Sequence, residues 1–324
     1  MVTVRTMSSL SKLSDCHLAI SARLVATSQN WDWPTMEASE SLSPVVQRRR
    51  LRAELRRARL EAGLTQDQVA SAMDWSLSKL IRIENGTVNI STNDLKAILA
   101  HYKITDEGRT AEFLALSRGA RERSWWSGYR DVAPPRLLQM IEYEAASIIT
   151  RNFQPLLVPG LLQTEEYARN VYQQLNPQES ASRRESLVEI RMRRQELLAR
   201  PDAPLLFFII DQAVVERIVG GKAAMRRQLG QMIELAGMPN VTIEVVPFEA
   251  GAHSGLLGSF LIYEFPDTAD DDALYLEGPT GDLISRDNPE EILSFRERFE
   301  QIRQASLGPE GSVNLLDARV KDLS

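Results

Sequence analysis

Three side chains within a short stretch of this sequence could donate hydrogen bonds to a nucleic acid: Ser78, Lys79 and Arg82. Hydroxyl, ammonium and guanidinium groups all donate to phosphate oxygens, and the two cations also suit the O6 and N7 acceptors of guanine. The same stretch carries Leu80 and Ile83, which are apolar and three residues apart. This spacing predicts a helix that buries one side and presents the donors on the other. The predicted chemistry is recognition and not bond making.

Helix start and stop signals surround these donors. Gly63 can adopt the left-handed conformation that ends a preceding helix. Thr65 and Gln68 have the spacing of a capping box, which starts the next helix. Ser76 is placed to cap the donor-bearing helix, and Gly86 to end it. The sequence therefore predicts two short helices joined by a tight turn, the second shaped to enter the major groove of duplex DNA.

Composition indicates an ordinary globular chain. Its 324 residues are 43% hydrophobic and 25% charged, which is enough for two domains with buried cores. No apolar run reaches the length of a membrane span. One cysteine, Cys16, and three scattered histidines, His17, His101 and His253, do not predict a disulfide framework or a metal cluster. We expect no cofactor, no metal, no membrane contact and no enzyme activity.

Charge is divided unevenly along the chain. Residues 44–103 hold 11 Lys+Arg and 6 Asp+Glu, a net of +5, whereas residues 104–324 hold 24 and 34, a net of −10. A basic module beside an acidic one is typical of a protein that contacts nucleic acid at one end. Most arginines of the first helix are expected on a solvated face that attracts DNA without touching it. They are Arg48, Arg49, Arg50, Arg52, Arg56, Arg57 and Arg59.

Periodicity divides the chain into five segments. The first is Ser-rich and shows neither helical nor strand periodicity, so we expect disorder there, with Met36 as an alternative start. The fourth alternates helical patterns with apolar runs typical of strands, as at 205–210 and 241–246. The prediction is an all-α five-helix domain followed by a mixed α+β domain. The segments are 1–43 (disordered extension), 44–119 (helix-turn-helix domain), 120–136 (junction), 137–306 (α+β domain that binds an effector or a partner) and 307–324 (partly helical tail).

The helical pattern resembles a known DNA-binding family. Thr65-Gln66 and residues 82–86, RIENG, resemble the Cro/cI-type (Xre) helix-turn-helix. Three later stretches resemble the C-terminal domain of the actinobacterial antitoxin-like transcriptional regulators. The resemblance covers about residues 44–305 and implies a cytoplasmic, homodimeric regulator that binds double-stranded DNA in a sequence-specific way. The three stretches are LVPGLLQTEEYAR (157–169), PNVTIEVVPFEAGAHSG (239–255) and YLEGPTGDL (275–283).

The predicted DNA contacts combine this resemblance with helix-end chemistry. Gln66 begins the first of the two short helices, where free N–H groups and the positive end of the helix suit a phosphate, and it resembles a family glutamine in that role. Sequence reading is expected from the first turns of the next helix. Arg82 could instead pair with Glu54 or Glu84. The predicted set is Gln66, Ser76, Leu77, Ser78, Lys79, Arg82 and Asn85.

Two roles stay open for the second domain. Genes of the resembled family often lie beside genes for small companion proteins, so the resemblance implies that this domain senses such a protein. The alternative is a small-molecule effector, or a retained enzyme activity. His253 has no obvious nucleophile or carboxylate partner in the sequence, and Gly220-Gly221-Lys222 lacks the other residues of a phosphate loop. The LVPGLL motif could form either core or partner surface.

Overall fold

The computed structural model describes residues 44–84, 88–265, 272–278, 283–285 and 288–323. The predictions for residues 1–43, which include Met36, lie outside the described residues, and so do those for Asn85 and Gly86. The chain begins with a helical domain. Its helices are α1 (Pro44–Glu61), α2 (Gln66–Ala72), α3 (Leu77–Glu84), α4 (Thr92–His101) and α5 (Glu107–Gly119).

The predicted start and stop residues set the ends of these helices. Gly63 has a φ of +71°, the left-handed conformation that a side chain would strain. The Thr65 side chain accepts from the Gln68 N–H while the Gln68 side chain accepts from the Thr65 N–H, which completes the capping box. Ser76 Oγ accepts from the Lys79 N–H at 3.2 Å. The turn between α2 and α3 is therefore fixed by local chemistry.

One apolar cluster holds the helical domain together. Leu55, Val69, Leu80, Leu95 and Phe113 come from the five helices in turn, and each is at most 2% exposed. Leu80 and Ile83 were predicted to face inward, and both are buried. Because α3 is anchored along this side, its opposite side faces solvent.

The second domain is built on a mixed sheet with helices. In the described residues the strands are β1 (Ile149–Gln154), β2 (Leu205–Asp211), β3 (Val241–Val246), β4 (Phe260–Glu264), β5 (Ala273–Leu276) and β6 (Leu283–Ser285), in the order β3-β2-β1-β4-β5-β6. Strands β1 to β3 pair in parallel, and β4 to β6 pair antiparallel. The helices are α6 (Pro135–Ala146), α7 (Glu165–Leu175), α8 (Ala181–Arg194), α9 (Gln212–Glu216), α10 (Lys222–Ala236), α11 (Pro289–Gln304) and α12 (Gly308–Asp322).

Strand β1 was not predicted, although it lies between β2 and β4 at the centre of the sheet. Its sequence, ITRNFQ, places polar Thr150 and Asn152 on one face, and both are buried. A central strand usually reads as a continuous apolar run. Here Thr150 and Asn152 lie between the apolar cluster on the β2–β3 side and the cluster on the β4–β5 side. The sequence of β1 therefore lacks the apolar pattern from which a strand is predicted.

Two of the segments that were predicted to lie outside the two domains, the junction and the tail, contribute side chains to the cores. In the junction, Trp126 and Ala133 are buried beside α6 residues. The predicted tail forms α12, which packs on β3 and α10, and its Leu316 is fully buried. The segment is helical, as predicted, and α12 packs with the second domain rather than lying apart from it. A Pro-containing, weakly patterned segment gave no sign that one of its leucines was a core residue.

Candidate nucleic-acid interface

The solvent side of α3 carries most of the predicted contacts. Ser76, Leu77, Ser78 and Arg82 are exposed, and Lys79 is about a third exposed, with 35% of its side chain accessible. Arg82 Nε donates to the Ser78 carbonyl oxygen one turn earlier, at 3.3 Å. The capped turn therefore gathers five of the predicted side chains on one short helix, while Asn85 lies outside the described residues.

Lys79 is held by two neighbours on its own domain. Its Nζ lies 3.1 Å from Asp94 Oδ2 and 3.9 Å from the centroid of the Trp75 ring. Trp75, in the turn before α3, is half-buried, and Lys79 Nζ packs on the face of its ring. An ammonium group between a carboxylate and an aromatic face is already partly satisfied. A phosphate must therefore compete with Asp94 for Lys79.

A buried ion pair joins α1 to the last residue of α3. Arg59 Nε lies 2.7 Å from Glu84 Oε1, and Arg59 Nη2 lies 3.1 Å from Glu84 Oε2. The two side chains are 8% and 3% exposed, and Arg59 also donates to the Leu64 carbonyl oxygen at 2.8 Å. A solvated face was predicted for most of the α1 arginines, and Arg59 is an exception to it. Because α1 carries so many arginines, its sequence did not show which one turned inward.

Gln66 is bound to the same carboxylate. Its Nε2 donates to Glu84 Oε2 at 2.7 Å, so the residue predicted to contact phosphate links α2 to α3 here. Glu84 thus receives donors from α1 and α2 at once. Burial, together with the Glu84 carboxylate, raises the pKa of Tyr102 well above its usual range. One buried carboxylate sets the position of the donor-bearing helix.

Two further α1 arginines have partners within the protein, although Arg57 is itself exposed. Arg57 pairs with Glu54 and Glu61 on its own helix. Arg48 donates to Glu142 at 3.5 Å and to the Ala120 carbonyl oxygen at 3.2 Å. These contacts divert part of the basic charge away from any ligand.

The first turn of α1 is embedded in the second domain. Val45 is 3% exposed and lies in the apolar cluster of α6, α8 and β4. The Arg49 guanidinium lies 3.3 Å from the centroid of the Phe265 ring, which follows β4. An 18-residue helix is about 27 Å long. One rigid element therefore has one end in the second domain and its other end paired to α3 through Arg59.

His253 has a carboxylate partner that the sequence did not indicate. Its Nε2 lies 3.3 Å from Asp211 Oδ2, at the end of β2, and its Nδ1 accepts from the Gly255 N–H at 3.2 Å. A nitrogen that accepts carries no proton, so the ring proton is on Nε2 and is donated to Asp211. Both ring nitrogens are used, and the side chain is 8% exposed. The pair fastens a loop to the sheet edge and offers no free base.

A second buried ion pair lies beneath the sheet. Arg194 Nε and Nη2 bind the two Glu144 oxygens at 2.9 and 2.6 Å, and the side chains are 6% and 3% exposed. Tyr263 on β4 is close by; burial first, and then the Glu144 charge, raises its pKa well above its ordinary value. These groups, with Thr150 and Asn152, form the polar interior of the second domain. They position helices α6 and α8 on the sheet.

The LVPGLL motif is mainly core. Val158, Leu161 and Leu162 are at most 2% exposed, whereas Gly160, the first residue of a 3-10 turn, is partly exposed. Glutamine side chains hold the segment, because Gln163 donates to the Val158 carbonyl oxygen at 2.7 Å and Gln228 to that of Leu162 at 2.8 Å. Of the two roles left open by the sequence, the structure favours core for the leucines and the valine.

Two further properties concern the described residues alone. No group of three or more His, Cys, Asp or Glu side chains among them could hold a metal ion. None of their helices combines the length and the apolar character needed to cross a bilayer.

Comparison with known protein families gives two matches. Residues 50–113 match a family described as a helix-turn-helix domain, and residues 137–318 match one described as a domain of unknown function (DUF5753). The second match covers more than half of the 324 residues. No curated protein matches the chain, and no solved structure matches it. The predicted order, a helix-turn-helix region followed by a domain with a mixed sheet and helices, is confirmed.

Proposed function

Since the chain belongs to the family defined by the domain of unknown function DUF5753, and carries a helix-turn-helix domain before it, we propose that it is a sequence-specific transcriptional regulator of the Cro/cI (Xre) type. The observation that carries the proposal is α3, a short capped helix with exposed Ser78 and Arg82 on one side and Glu84 fixed at its end. Such a regulator acts on chromosomal DNA in the cytoplasm and needs no catalysis.

The proposed complex places α3 in the major groove. Arg82 and Ser78 then face base edges, Leu77 faces a thymine methyl, and the start of α2 faces a phosphate. The Gln66 side chain donates one amide N–H to Glu84 at 2.7 Å, and its second amide N–H is the donor for a phosphate contact. One such module buries too little surface for tight binding, so we propose a homodimer on a two-fold site.

Arg82→Ala is expected to weaken operator binding by about 1–3 kcal/mol while leaving binding to random duplex nearly unchanged. The reason is that a guanidinium reading a guanine contributes only on the correct base. Fluorescence anisotropy with both duplexes measures the two affinities. Arg226→Ala, which removes an exposed charge from α10, is the control for net charge. Equal weakening on both duplexes would show that Arg82 contacts phosphate alone.

Lys79→Ala is expected to weaken binding to operator and random duplex alike. A phosphate contact gives no sequence preference, so affinity should fall on every duplex and the slope of log affinity against log salt should decrease by about one unit. The Asp94 contact makes this loss smaller than for a fully solvated lysine, because Lys79 leaves an ion pair to bind DNA. Titrations at several salt concentrations measure the slope; an unchanged slope contradicts the assignment.

We also propose that the second domain senses a small companion protein and signals through α1. Exposed apolar side chains in the loop after β3 support a protein partner: Phe248 is 55%, Leu256 60% and Leu257 77% exposed. Scattered exposed apolar residues are common, but three in one short loop suit a contact surface. A stoichiometric small protein that co-purifies from the native host would support this role, and a bound metabolite would support the alternative of a small-molecule effector.

The proposed signalling route gives a test that needs no known effector. If α1 couples the domains, operator DNA should change hydrogen exchange in α6 as well as in α3, because coupling between two sites is reciprocal. Arg49→Ala removes the Phe265 contact and should reduce the change in α6 without abolishing operator binding. Arg50→Ala, an exposed neighbour on α1, is the control. An α6 response that is equal in all three proteins rules this route out.

The regulator proposal itself is tested by sequencing the genomic fragments that the purified chain retains. A small set of fragments sharing a two-fold motif is expected. Retention of fragments in proportion to their abundance would contradict it.

A further inference from the structure

Gly160 is the residue of the LVPGLL motif that core packing does not explain. It is partly exposed, and two arginines of α8 lie against it. A Cβ on residue 160 would lie 3.5 Å from Arg194 Nη1 and 3.7 Å from Arg191 Nε. Because residue 160 is glycine, only hydrogen separates its backbone from these two nitrogens.

Both guanidinium groups are fixed in place by other contacts. Glu144 binds Arg194 through Nε and Nη2, which leaves Nη1 toward the glycine. Arg191 Nη1 donates to Gln163 Oε1 at 2.7 Å, and its Nη2 donates to Tyr172 Oη at 2.9 Å. Arg191 Nε is buried and has no hydrogen-bond partner among the described residues. The donors Arg194 Nη1 and Arg191 Nε therefore both lie next to the partly exposed Gly160.

The net charge of the cluster formed by Arg191, Arg194 and Glu144 is opposite in sign to that of residues 104–324. Arg191 and Arg194 against the single carboxylate of Glu144 leave one positive charge, whereas residues 104–324 carry a net charge of −10. A buried N–H of a cation that lacks an acceptor costs free energy, about 1–3 kcal/mol or more. An anion with oxygen acceptors would satisfy both donors through charge-assisted hydrogen bonds.

We propose that Gly160, Arg191 and Arg194 form an anion-binding site for a carboxylate or phosphate group. The Arg194 side chain is 6% exposed, and Arg191 is partly exposed although its Nε is buried, so the anion reaches the two donors past Gly160. Glycine is required because a methyl group at residue 160 would stand in the path to both nitrogens. This proposal does not rest on DNA binding or on the role of α3.

The test uses the full-length chain without DNA and titrates inorganic phosphate, then acetate, by calorimetry at constant ionic strength. The wild-type chain should bind at least one of them saturably. Gly160→Ala should weaken this binding by about tenfold or more. Its φ lies outside the left-handed region and its new Cβ makes only ordinary contacts, so the fold should persist. Gly230→Ala, where a Cβ meets nothing within 4 Å, is the matched control and should bind like wild type.

A second pair of variants separates the arginines. Arg191→Gln should weaken binding as Gly160→Ala does, while Arg193→Gln, which changes an exposed arginine next along α8, should not. Circular dichroism and thermal unfolding confirm that each variant is folded. The proposal is overturned if the wild-type chain binds neither anion saturably, if Gly160→Ala or Arg191→Gln binds as tightly as wild type, or if Arg193→Gln weakens binding as much as Arg191→Gln.

Discussion

Glu84→Ala is expected to destabilise the helix-turn-helix domain by about 3–5 kcal/mol, because it leaves the buried Arg59 guanidinium without its carboxylate. Arg59 is 8% exposed and has both Nε and Nη2 on Glu84. The loss also releases Gln66 and removes the link between α1 and α3. Native-state hydrogen exchange of amides in α1 and α4 measures this domain separately from the second one.

Two controls test whether the expected loss of stability comes from the unpaired buried charge of Arg59. Glu61→Ala removes an exposed carboxylate at the end of α1 that pairs with Arg57 and Arg109, and should destabilise the domain far less, because water and salt screen an exposed ion pair. Arg59→Met combined with Glu84→Leu removes both charges and should recover much of the lost stability. If Glu84→Ala and Glu61→Ala cost the same, the buried pair does not hold α3.

Glu144→Ala is expected to have an effect of similar size in the second domain, about 3–5 kcal/mol. Arg194 is nearly inaccessible, and both oxygens of Glu144 are bound to it at 2.9 and 2.6 Å. Without that carboxylate the guanidinium would be left charged next to Tyr263, in the polar interior beneath β4. Exchange of amides in β1 and α8 reports the change.

Glu189→Ala, on the helix α8 that also carries Arg194, is the control for loss of a carboxylate. Its carboxylate is exposed and accepts from the Tyr129 hydroxyl at 2.7 Å, so its loss should cost about 1 kcal/mol or less. A Glu144→Ala protein whose β1 and α8 amides exchange as slowly as those of Glu189→Ala would show that the buried pair contributes little to the domain.

The helix-turn-helix segment could be predicted from the sequence, because its helix ends are set by residues close to them in the chain. Gly63, Thr65, Gln68 and Ser76 act within three or four residues of the groups they satisfy, so their spacing carried the structural information. The Arg59–Glu84 pair spans 25 residues and no local pattern marks it. An arginine-rich helix predicts a solvated face whether or not one arginine turns inward.

Less of the second domain could be predicted from the sequence, because its polar pairs join residues that are far apart in the chain. Asp211 and His253 are 42 residues apart, and Glu144 and Arg194 are 50 apart, so only the sheet brings each pair together. Strand β1 was missed because its buried residues Thr150 and Asn152 are polar, so the strand lacks the apolar run that marks β2 and β3. Long-range polar contacts leave no periodicity in the sequence, whereas apolar packing does.

The account depends most on recognition of specific DNA by α3, and one competition experiment addresses it directly. Purified full-length chain is bound to retained genomic fragments at about 0.15 M salt and challenged with scrambled duplexes of the same length and composition. The account predicts that the genomic fragments bind about a thousandfold or more tightly than the scrambled ones, and that Arg82→Ala removes most of this preference. Equal affinity for genomic and scrambled duplexes would contradict it.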